Sequence, residues 1–259
     1  LVLAALAMGP AHRAAAQDGA APAVAPVPFG LGEKATYKVT LSPFGEVGQG
    51  SMEVVRLDTV HGRPTYHLRF LLKGGVLFAR VDDRLESWLD VTHLVSRRFQ
   101  QDQKEVRYER HRIYEFFPEE RRWVRADKKG EAGPLPTAAP LDDVSFLYFI
   151  RTIPLEVGKT YTFHRYFKER GNPVKVQVLR KERVTVPAGT FETVVVRPII
   201  KTRGLFGEGG EAEVYFTDDA RRLVVLLKSN VPVLGSLNLH LTSYTPGEKL
   251  AGLSVKARP

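Results

Sequence analysis

Histidines and carboxylates are the residues of this 259-residue chain that could do metal or acid–base chemistry. The seven histidines are dispersed, and no two of them have the spacing of a metal motif. His67 and His240 fall on the polar face of predicted strands, where we expect them to face solvent. Adjacent aspartates occur at 82–83, 142–143 and 218–219, but neighbours on a strand point to opposite faces. We therefore predict no metal site and no catalytic carboxylate pair.

Motifs for nucleophilic and nucleotide chemistry are missing from the sequence as well. The chain has no cysteine, which excludes disulfides, a thiol nucleophile and a lipidated cysteine, and it has no Gly-x-Ser-x-Gly elbow. The glycine-rich stretch at 204–210 lacks the Lys-Ser/Thr of a phosphate-binding loop, so we interpret it as a hairpin connection. We predict no catalytic residue and no cofactor, and a noncatalytic role is favoured over an enzyme.

A basic segment in the middle of the chain is one candidate binding surface. Lysines and arginines number 38 against 29 aspartates and glutamates, and the net charge of +9 favours anionic partners. Arginines and aromatic residues interleave between 97 and 129, as they do in single-strand nucleic-acid binders, but glutamates interleave too and indicate cross-strand ion pairs. We predict no nucleic-acid partner, and contact with lipid, lipopolysaccharide or acidic glycan through Arg97, Arg98, Arg107, Arg121 and Arg122.

Three Gly- or Pro-flanked segments are a second candidate, because they carry large apolar side chains where loop tips are normally polar. They lie at 75–78, 204–207 and 231–235. Clustered apolar tips are typical of a binding mouth or a membrane-touching rim, and the alternative is that they fold back onto the core. The residues predicted to contact a ligand or membrane are Leu77, Phe78, Leu205, Phe206, Val233 and Leu234.

Strands must position these residues, because apolar and polar side chains alternate along most of the chain. The alternation is clearest at 36–41, 66–72, 174–179 and 237–242, and it is typical of an antiparallel sheet with one face on a core. Turn residues separate roughly a dozen such segments, more than a flat sheet usually carries. We predict an all-β fold whose antiparallel strands curl into an open barrel or sandwich.

One short helix interrupts the strands near 142–152. Asp142 can cap its start, and Pro154 stands just past its end. Its apolar residues surround much of the circumference, so we expect the helix to be buried against or inside the sheet.

The ends of the chain predict export and a simple domain organisation. Residues 1–16 contain an apolar run and the small-residue pattern Ala14-x-Ala16, which predict a signal peptide truncated at its start. The run is shorter than the ~20 residues of a membrane span, so no transmembrane anchor is expected. A flexible Ala/Pro-rich leader at 17–28, a single β domain at 29–247 and a tail at 248–259 are expected to follow. The predicted location is the periplasm or the extracellular space.

Several stretches together resemble a known family. They are the opening at 29–37, Asp-Asp-Val-Ser-Phe-Leu-Tyr-Phe-Ile-Arg at 142–151, Pro-Ala-Gly-Thr-Phe at 187–191 and Val-Tyr-Phe-Thr-Asp-Asp-Ala-Arg-Arg at 214–222. Over about residues 29–244 the chain resembles the exported bacterial family catalogued as domain of unknown function 3108. The resemblance implies an exported, mostly antiparallel β protein of the open-barrel kind. It implies no catalytic residue, because the family has none established.

The leading functional hypothesis is an exported envelope protein that binds or carries an apolar or amphiphilic ligand, a lipid or glycolipid, without catalysis. The alternatives are a scaffolding subunit that docks to an envelope assembly and an enzyme acting on envelope glycan or lipid. A deep apolar cavity would favour carriage, a packed interior would favour docking, and convergent buried carboxylates or histidines in a cleft would favour an enzyme.

Overall fold

The computed structural model describes residues 24–76, 79–105, 108–200, 212–231 and 235–250. In these residues one antiparallel sheet contains 14 strands. In chain order the strands are β1 (Lys34–Leu41), β2 (Gly45–Val60), β3 (Arg63–Val76), β4 (Ala79–Asp90), β5 (Ser96–Glu105), β6 (Tyr108–Phe117), β7 (Arg122–Arg125), β8 (Ala132–Pro134), β9 (Thr160–Phe163), β10 (Val174–Val186), β11 (Gly189–Ile199), β12 (Ala212–Thr217), β13 (Val224–Val231) and β14 (Gly235–Thr245).

Two up-and-down meanders make up this sheet. The order across it is β8-β7-β6-β5-β4-β3-β2-β1-β14-β13-β12-β11-β10-β9, so the first and last strands of the chain pair with each other at the centre. The outermost strands, β8 and β9, are not paired with each other, and the sheet stays open. A sheet of this many strands curls, because the twist between neighbouring strands accumulates. The predicted all-β fold with a curled, open antiparallel sheet is confirmed.

The helix α1 (Asp143–Ile150) lies between β8 and β9 in the chain, and short 3₁₀ helices lie at Pro118–Glu120 and Glu169–Gly171. Asp142 caps α1 by accepting hydrogen bonds from two backbone N–H groups of its first turn, and all eight helical residues are buried. The helix packs against β3 and β4. The predicted buried helix is therefore present, and it begins one residue later and ends two residues earlier than expected. In the described part of the chain, no helix has the length and apolar character needed to span a bilayer.

A buried ion pair holds the end of α1 to the first strand. The Arg151 guanidinium donates to both carboxylate oxygens of Glu33, at 2.6 and 3.1 Å, and to the backbone oxygen of Arg221 at 3.0 Å. The aromatic rings of Phe29 and Tyr148 lie on the same guanidinium, with centroids 5.3 and 5.4 Å from its central carbon. The contact ties α1, β1 and the β12–β13 turn together.

Large side chains fill the space between α1 and the inner face of the sheet. Phe29 packs edge-on against Tyr66 and Tyr148, with ring centroids 5.3 and 5.0 Å apart. Side chains from both meanders and from α1 join in one apolar cluster. The largest fully buried residues are Tyr37, Tyr66, Tyr148, Tyr166, Tyr215, Phe29, Phe70, Phe99, Phe116, Phe146 and Phe167.

The described residues next to the predicted domain boundaries also pack on the sheet. The Ala25 N–H donates to the Val91 carbonyl at 2.9 Å, and Val24 and Val27 lie against the core. At the other end Glu248 pairs with Leu31 in an isolated bridge, and Leu250 is buried. Packing thus extends from residue 24 to residue 250.

Candidate functional site

Antiparallel pairing decides which chain connections meet at each end of the curled sheet. Every neighbouring pair in the sheet is antiparallel, so all odd-numbered strands run in one direction. The connections after β1, β3, β5, β7, β9, β11 and β13 therefore begin at the same end of their strands, here named the rim. Strand residues that end at the rim include Leu41, Val76, Glu105, Ile199 and Val231.

The three apolar segments follow strands that end at this rim. Segment 75–78 joins β3 to β4, 204–207 joins β11 to β12, and 231–235 joins β13 to β14. The side chains predicted to contact a ligand lie outside the described residues, so their contacts stay a prediction; they are Leu77, Phe78, Leu205, Phe206, Val233 and Leu234.

Phe44 is a further apolar residue of the rim. It lies in the turn between β1 and β2, and 53% of its surface is exposed. Sequence reasoning missed Phe44, although the preceding Ser42-Pro43 marks a turn and an apolar residue follows it.

Four cations gather on the inner face of the sheet near the rim. Arg110, Arg112 and Tyr114 alternate with outward residues along β6, and Arg125 of β7 is the cross-strand partner of Tyr114. The Arg125 guanidinium carbon lies 5.3 Å from the Tyr114 ring centroid, and Lys168 Nζ, from the β9–β10 connection, lies 5.6 Å from it. We name Arg110, Arg112, Arg125 and Lys168 the inner cationic cluster.

Burial and like charge both act on Lys168. Burial lowers the pKa of Lys168, the Asp143 carboxylate opposes that change, and the guanidinium groups of Arg112, Arg110 and Arg125 lower the pKa further. Positive charges that repel one another in this way would be stabilised by an anion placed among them.

Amide side chains of β5 line the same part of the inner face. Gln103 accepts a hydrogen bond from Arg110 at 3.2 Å and donates to Asp83 at 3.1 Å. Gln101 lies directly across from Arg112 in the β5–β6 pair. Only 6% of Gln101 is exposed, and its buried Oε1 has no hydrogen-bond donor among the described residues. The cluster thus offers several donors and one unused acceptor.

Two of the arginines predicted to contact an anionic surface pair with carboxylates. Arg97 is buried, and it donates to Asp90 at 3.0 Å and to Glu119 at 2.8 Å. Arg98 donates to Glu115 at 2.6 Å, as the interleaved glutamates of the sequence indicated.

The other arginines of that prediction differ in their surroundings. Arg121 is exposed and donates to the backbone oxygens of Leu135 and Pro136. Arg122 pairs with Glu120 at 2.5 Å, and Arg107 lies outside the described residues. An anionic-surface contact by the five arginines stays a prediction.

The outer face of β3 and β4 carries a polar cluster around Glu86, whose carboxylate accepts three side-chain hydrogen bonds. Burial would raise the pKa of Glu86, but hydrogen bonds from His67, Arg84 and Arg69, at 2.8, 2.7 and 2.9 Å, outweigh it and lower the pKa to about 2. The expectation that His67 faces solvent is wrong: the Trp88 ring stacks on its imidazole at 4.5 Å, and the side chain is buried. With three donors on Glu86, the cluster is suited to structure and not to proton transfer.

Asp142 is another buried carboxylate whose oxygens are occupied. Its Oδ1 accepts from the N–H groups of Val144 and Ser145, and its Oδ2 accepts from the Ser87 hydroxyl at 2.6 Å. Burial raises the pKa of Asp142 to about 6, while these hydrogen bonds oppose the rise. Among the described residues, no group of three histidines or carboxylates could hold a metal ion.

A shallow groove of about 430 Å³ lies where β1, β2, β3 and β14 adjoin. Its lining is mostly polar and includes Lys34, Thr36, Ser51, Glu53 and Thr242. Lys34 and Glu53 pair across it at 3.1 Å. An open polar groove of this kind does not suit an apolar chain.

Solved structures with a similar architecture have low sequence identity to the chain. The β-barrel-like protein of domain of unknown function DUF1849 from Brucella abortus is 12% identical, covers 87% of this chain and 100% of its own, and gives a TM-score of 0.49. A “putative lipoprotein” from Parabacteroides distasonis is 9% identical, with 85% and 98% covered and a TM-score of 0.32. A “putative exported protein with YmcC-like fold” from Bacteroides fragilis is 10% identical, with 85% and 98% covered and a TM-score of 0.30. No curated protein matches the chain.

A family match covers most of the described sheet. The chain matches the family described as “Protein of unknown function (DUF3108)” over residues 36–242. The matched part contains α1, the strands from β2 to β13 and the inner cationic cluster. As the motifs at 142–151, 187–191 and 214–222 predicted, the protein belongs to the DUF3108 family.

Proposed function

We propose that the protein is exported and binds an amphiphilic molecule, a lipid or glycolipid, at the rim without changing it chemically. The observation that supports the proposal is the strand order, because β3, β11 and β13, which precede the three apolar segments, end at the rim, where Phe44 is exposed. Large apolar side chains at one end of a protein are typical of a binding mouth or a membrane-contacting rim. The proposed contact residues are Phe44, Leu77, Phe78, Leu205, Phe206, Val233 and Leu234.

The packed core favours binding at the rim over carriage inside the sheet. A carrier that encloses a lipid chain needs a deep apolar cavity. In the described residues, large side chains such as Phe70, Phe99 and Phe146 instead fill the space around α1. The apolar part of the ligand is therefore held by side chains at the rim.

The buried carboxylates favour binding over catalysis. A general acid or base must reach the proton that it transfers. The oxygens of Asp142 and Glu86 are occupied by hydrogen bonds from neighbouring side chains and backbone. The proposed role is accordingly noncatalytic.

Net positive charge favours anionic partners among the amphiphiles of the envelope. The chain carries a formal charge of +9, and a cationic protein is attracted to anionic lipid, lipopolysaccharide or acidic glycan. The arginines proposed to take part are Arg98, Arg107, Arg121 and Arg122, of which Arg107 belongs to the β5–β6 connection, whereas Arg97 is buried in its ion pairs with Asp90 and Glu119.

Vesicle flotation with a matched pair of variants tests the proposal. Phe44 at the rim and Val157, in the connection that precedes β9, are 53% and 49% exposed. Wild type should float with vesicles of phosphatidylglycerol and phosphatidylcholine. Phe44→Ser should weaken binding by about tenfold, since burying one large apolar side chain contributes roughly 1.5–3 kcal/mol. Val157→Ser should bind as wild type does, and the Leu205→Ser/Phe206→Ser double variant should lose most binding.

Two results would overturn the proposal. One is that wild type binds neither phosphatidylglycerol vesicles nor phosphatidylcholine vesicles. The other is equal binding by Phe44→Ser, Val157→Ser and wild type. Either result would favour the docking alternative, because a packed interior is also what a scaffolding subunit requires.

A further inference from the structure

The inner cationic cluster, combined with the proposed function, points to a particular head group. We infer that Gln101, Arg112 and Lys168 bind the phosphate ester of the amphiphile, with Arg110 and Arg125 adding positive charge. The inference rests on the proposed function, because head group and apolar part must reach the same end of the sheet.

The cluster lies at the correct end for this role. Arg110 and Arg112 are on the first half of β6, which begins at the rim, and Lys168 reaches the Tyr114 ring further along the same strand. Arg112 and Lys168 are half-buried. Because both side chains are half-buried, a phosphate bound between them would contact two cations and lose part of its contact with water.

The charges of the cluster are unevenly compensated. Arg125 pairs with Asp127 at 2.6 Å and with Glu131 at 3.0 Å. Asp143, the carboxylate that acts on Lys168, also accepts a hydrogen bond from the Tyr166 hydroxyl at 3.0 Å. In the part of the chain that the structure describes, no carboxylate pairs with Arg112. The surplus positive charge lies at Arg112 and Lys168, and a phosphate has the charge and the several acceptors to offset it.

Gln101 adds a second, independent observation. Its Oε1 is buried and without a donor, next to Arg112 across the β5–β6 pair. A buried acceptor without a donor costs free energy, and a hydroxyl of a bound ligand would remove that cost. A ligand that supplies both an anion and a hydroxyl is a phosphate ester of a polyol, such as a glycerophosphate. The same chemistry occurs in a phosphatidylglycerol head group and in a free phosphate ester.

Paired charge variants separate this site from general electrostatics. Arg112→Gln/Lys168→Gln removes two cations from the cluster, and Lys181→Gln/Arg183→Gln removes two from exposed positions of β10. On phosphatidylglycerol vesicles the first variant should bind about thirtyfold more weakly than wild type, the effect of removing two cations beside an anionic surface. The second variant should change binding by less than about threefold, because its charges lie toward the other end of the sheet and are screened.

A soluble probe distinguishes a lipid from a free phosphate ester. Glycerol 3-phosphate should displace wild type from phosphatidylglycerol vesicles more strongly than sulfate at equal ionic strength. If glycerol 3-phosphate binds in calorimetry through Arg112 and Lys168 but vesicle binding does not depend on them, the ligand is the soluble ester. A thermal melt checks folding, and Arg112→Gln alone is the second variant if the double variant unfolds.

Equal vesicle binding by the two double variants, without glycerol 3-phosphate binding, would overturn the inference. The proposed function would then still be judged by Phe44→Ser. If wild type binds no vesicle but binds glycerol 3-phosphate through the cluster, the proposed function fails and the phosphate site stands.

Discussion

Replacement of Arg151 by methionine should destabilise the protein strongly, because it leaves a buried carboxylate without its partner. Arg151 and Glu33 are both buried, and the guanidinium contacts both carboxylate oxygens. Methionine has a similar volume and keeps contact with the rings of Phe29 and Tyr148. The change therefore removes charge and hydrogen bonds while most of the packing remains.

The size of the effect follows from these contacts. Breaking a buried ion pair by removing one partner costs about 3–5 kcal/mol, since the remaining charge has neither water nor a counter-ion. The Tyr244 hydroxyl still donates to Glu33 at 3.1 Å, which places the expected loss toward the lower end of that range. Replacing both partners, as in Arg151→Met/Glu33→Leu, removes the uncompensated charge. The double variant should recover about 2 kcal/mol relative to Arg151→Met alone.

Urea unfolding followed by circular dichroism measures these differences. Arg151→Met should lower the urea midpoint at unchanged slope, and lower the thermal midpoint by about 10 °C. A loss below about 1 kcal/mol would show that Glu33 regains water or another partner. A double variant less stable than Arg151→Met would show that packing, and not the uncompensated charge, sets the cost. Either result would refute the reasoning.

Three further predictions concern the helix, its cap and the start of the chain. Phe149→Ala should cost about 3–5 kcal/mol in denaturant unfolding, the range for a core phenylalanine, while Phe44→Ala at the exposed rim should cost less than about 1 kcal/mol. Burial raises the pKa of Asp142 to about 6, so the carboxyl takes up a proton on folding at pH values between about 4 and 6. The stability that this proton uptake provides is lost as pH rises from about 4 to 6. Asp142→Asn should remove about 2–3 kcal/mol of that pH dependence. Intact mass of the exported protein should show a chain that begins near Gln17.

Each of these predictions has a contradicting result. Equal losses in Phe149→Ala and Phe44→Ala would mean that the helix is not a core element. Parallel pH profiles of stability for wild type and Asp142→Asn between pH 4 and 6 would mean that Asp142 does not titrate in that window. An exported protein that retains residues 1–16 would show that the signal is not cleaved.

Local patterns were sufficient to predict the fold class, several strands and the helix. Alternation at 36–41 and 237–242 reflects the inward side chains of β1 and β14, because a strand with one buried face must alternate. The two ends of the helix were predicted from equally local signals, the cap at Asp142 and the proline at 154. The outermost strands, β8 and β9, are short and do not pair with each other. The sheet is therefore open, as the prediction of a curled, open fold requires.

The sites depend on long-range pairing, which no local pattern encodes. Lys168 and Arg112 are far apart in sequence, and only the sheet order brings Lys168 to the Tyr114 ring and within electrostatic reach of Arg112. His67 stands on the polar phase of β3 as predicted, yet Trp88 of β4 covers it because of the register of that pair. A register cannot be read from one strand, since it is set by the partner strand and the turn.

The motif residues that reveal the family are engaged in holding the sheet and helix together. Arg151, from the helix motif, contacts Glu33 of the opening and the backbone of Arg221 in the third motif. Asp142, from the same motif, caps α1. These contacts are buried or bind backbone, so they explain why such residues identify a fold and why they contain no chemistry toward a ligand. The proposed binding is accordingly assigned to residues outside those motifs, and Arg112 and Lys168 are described residues that meet this condition.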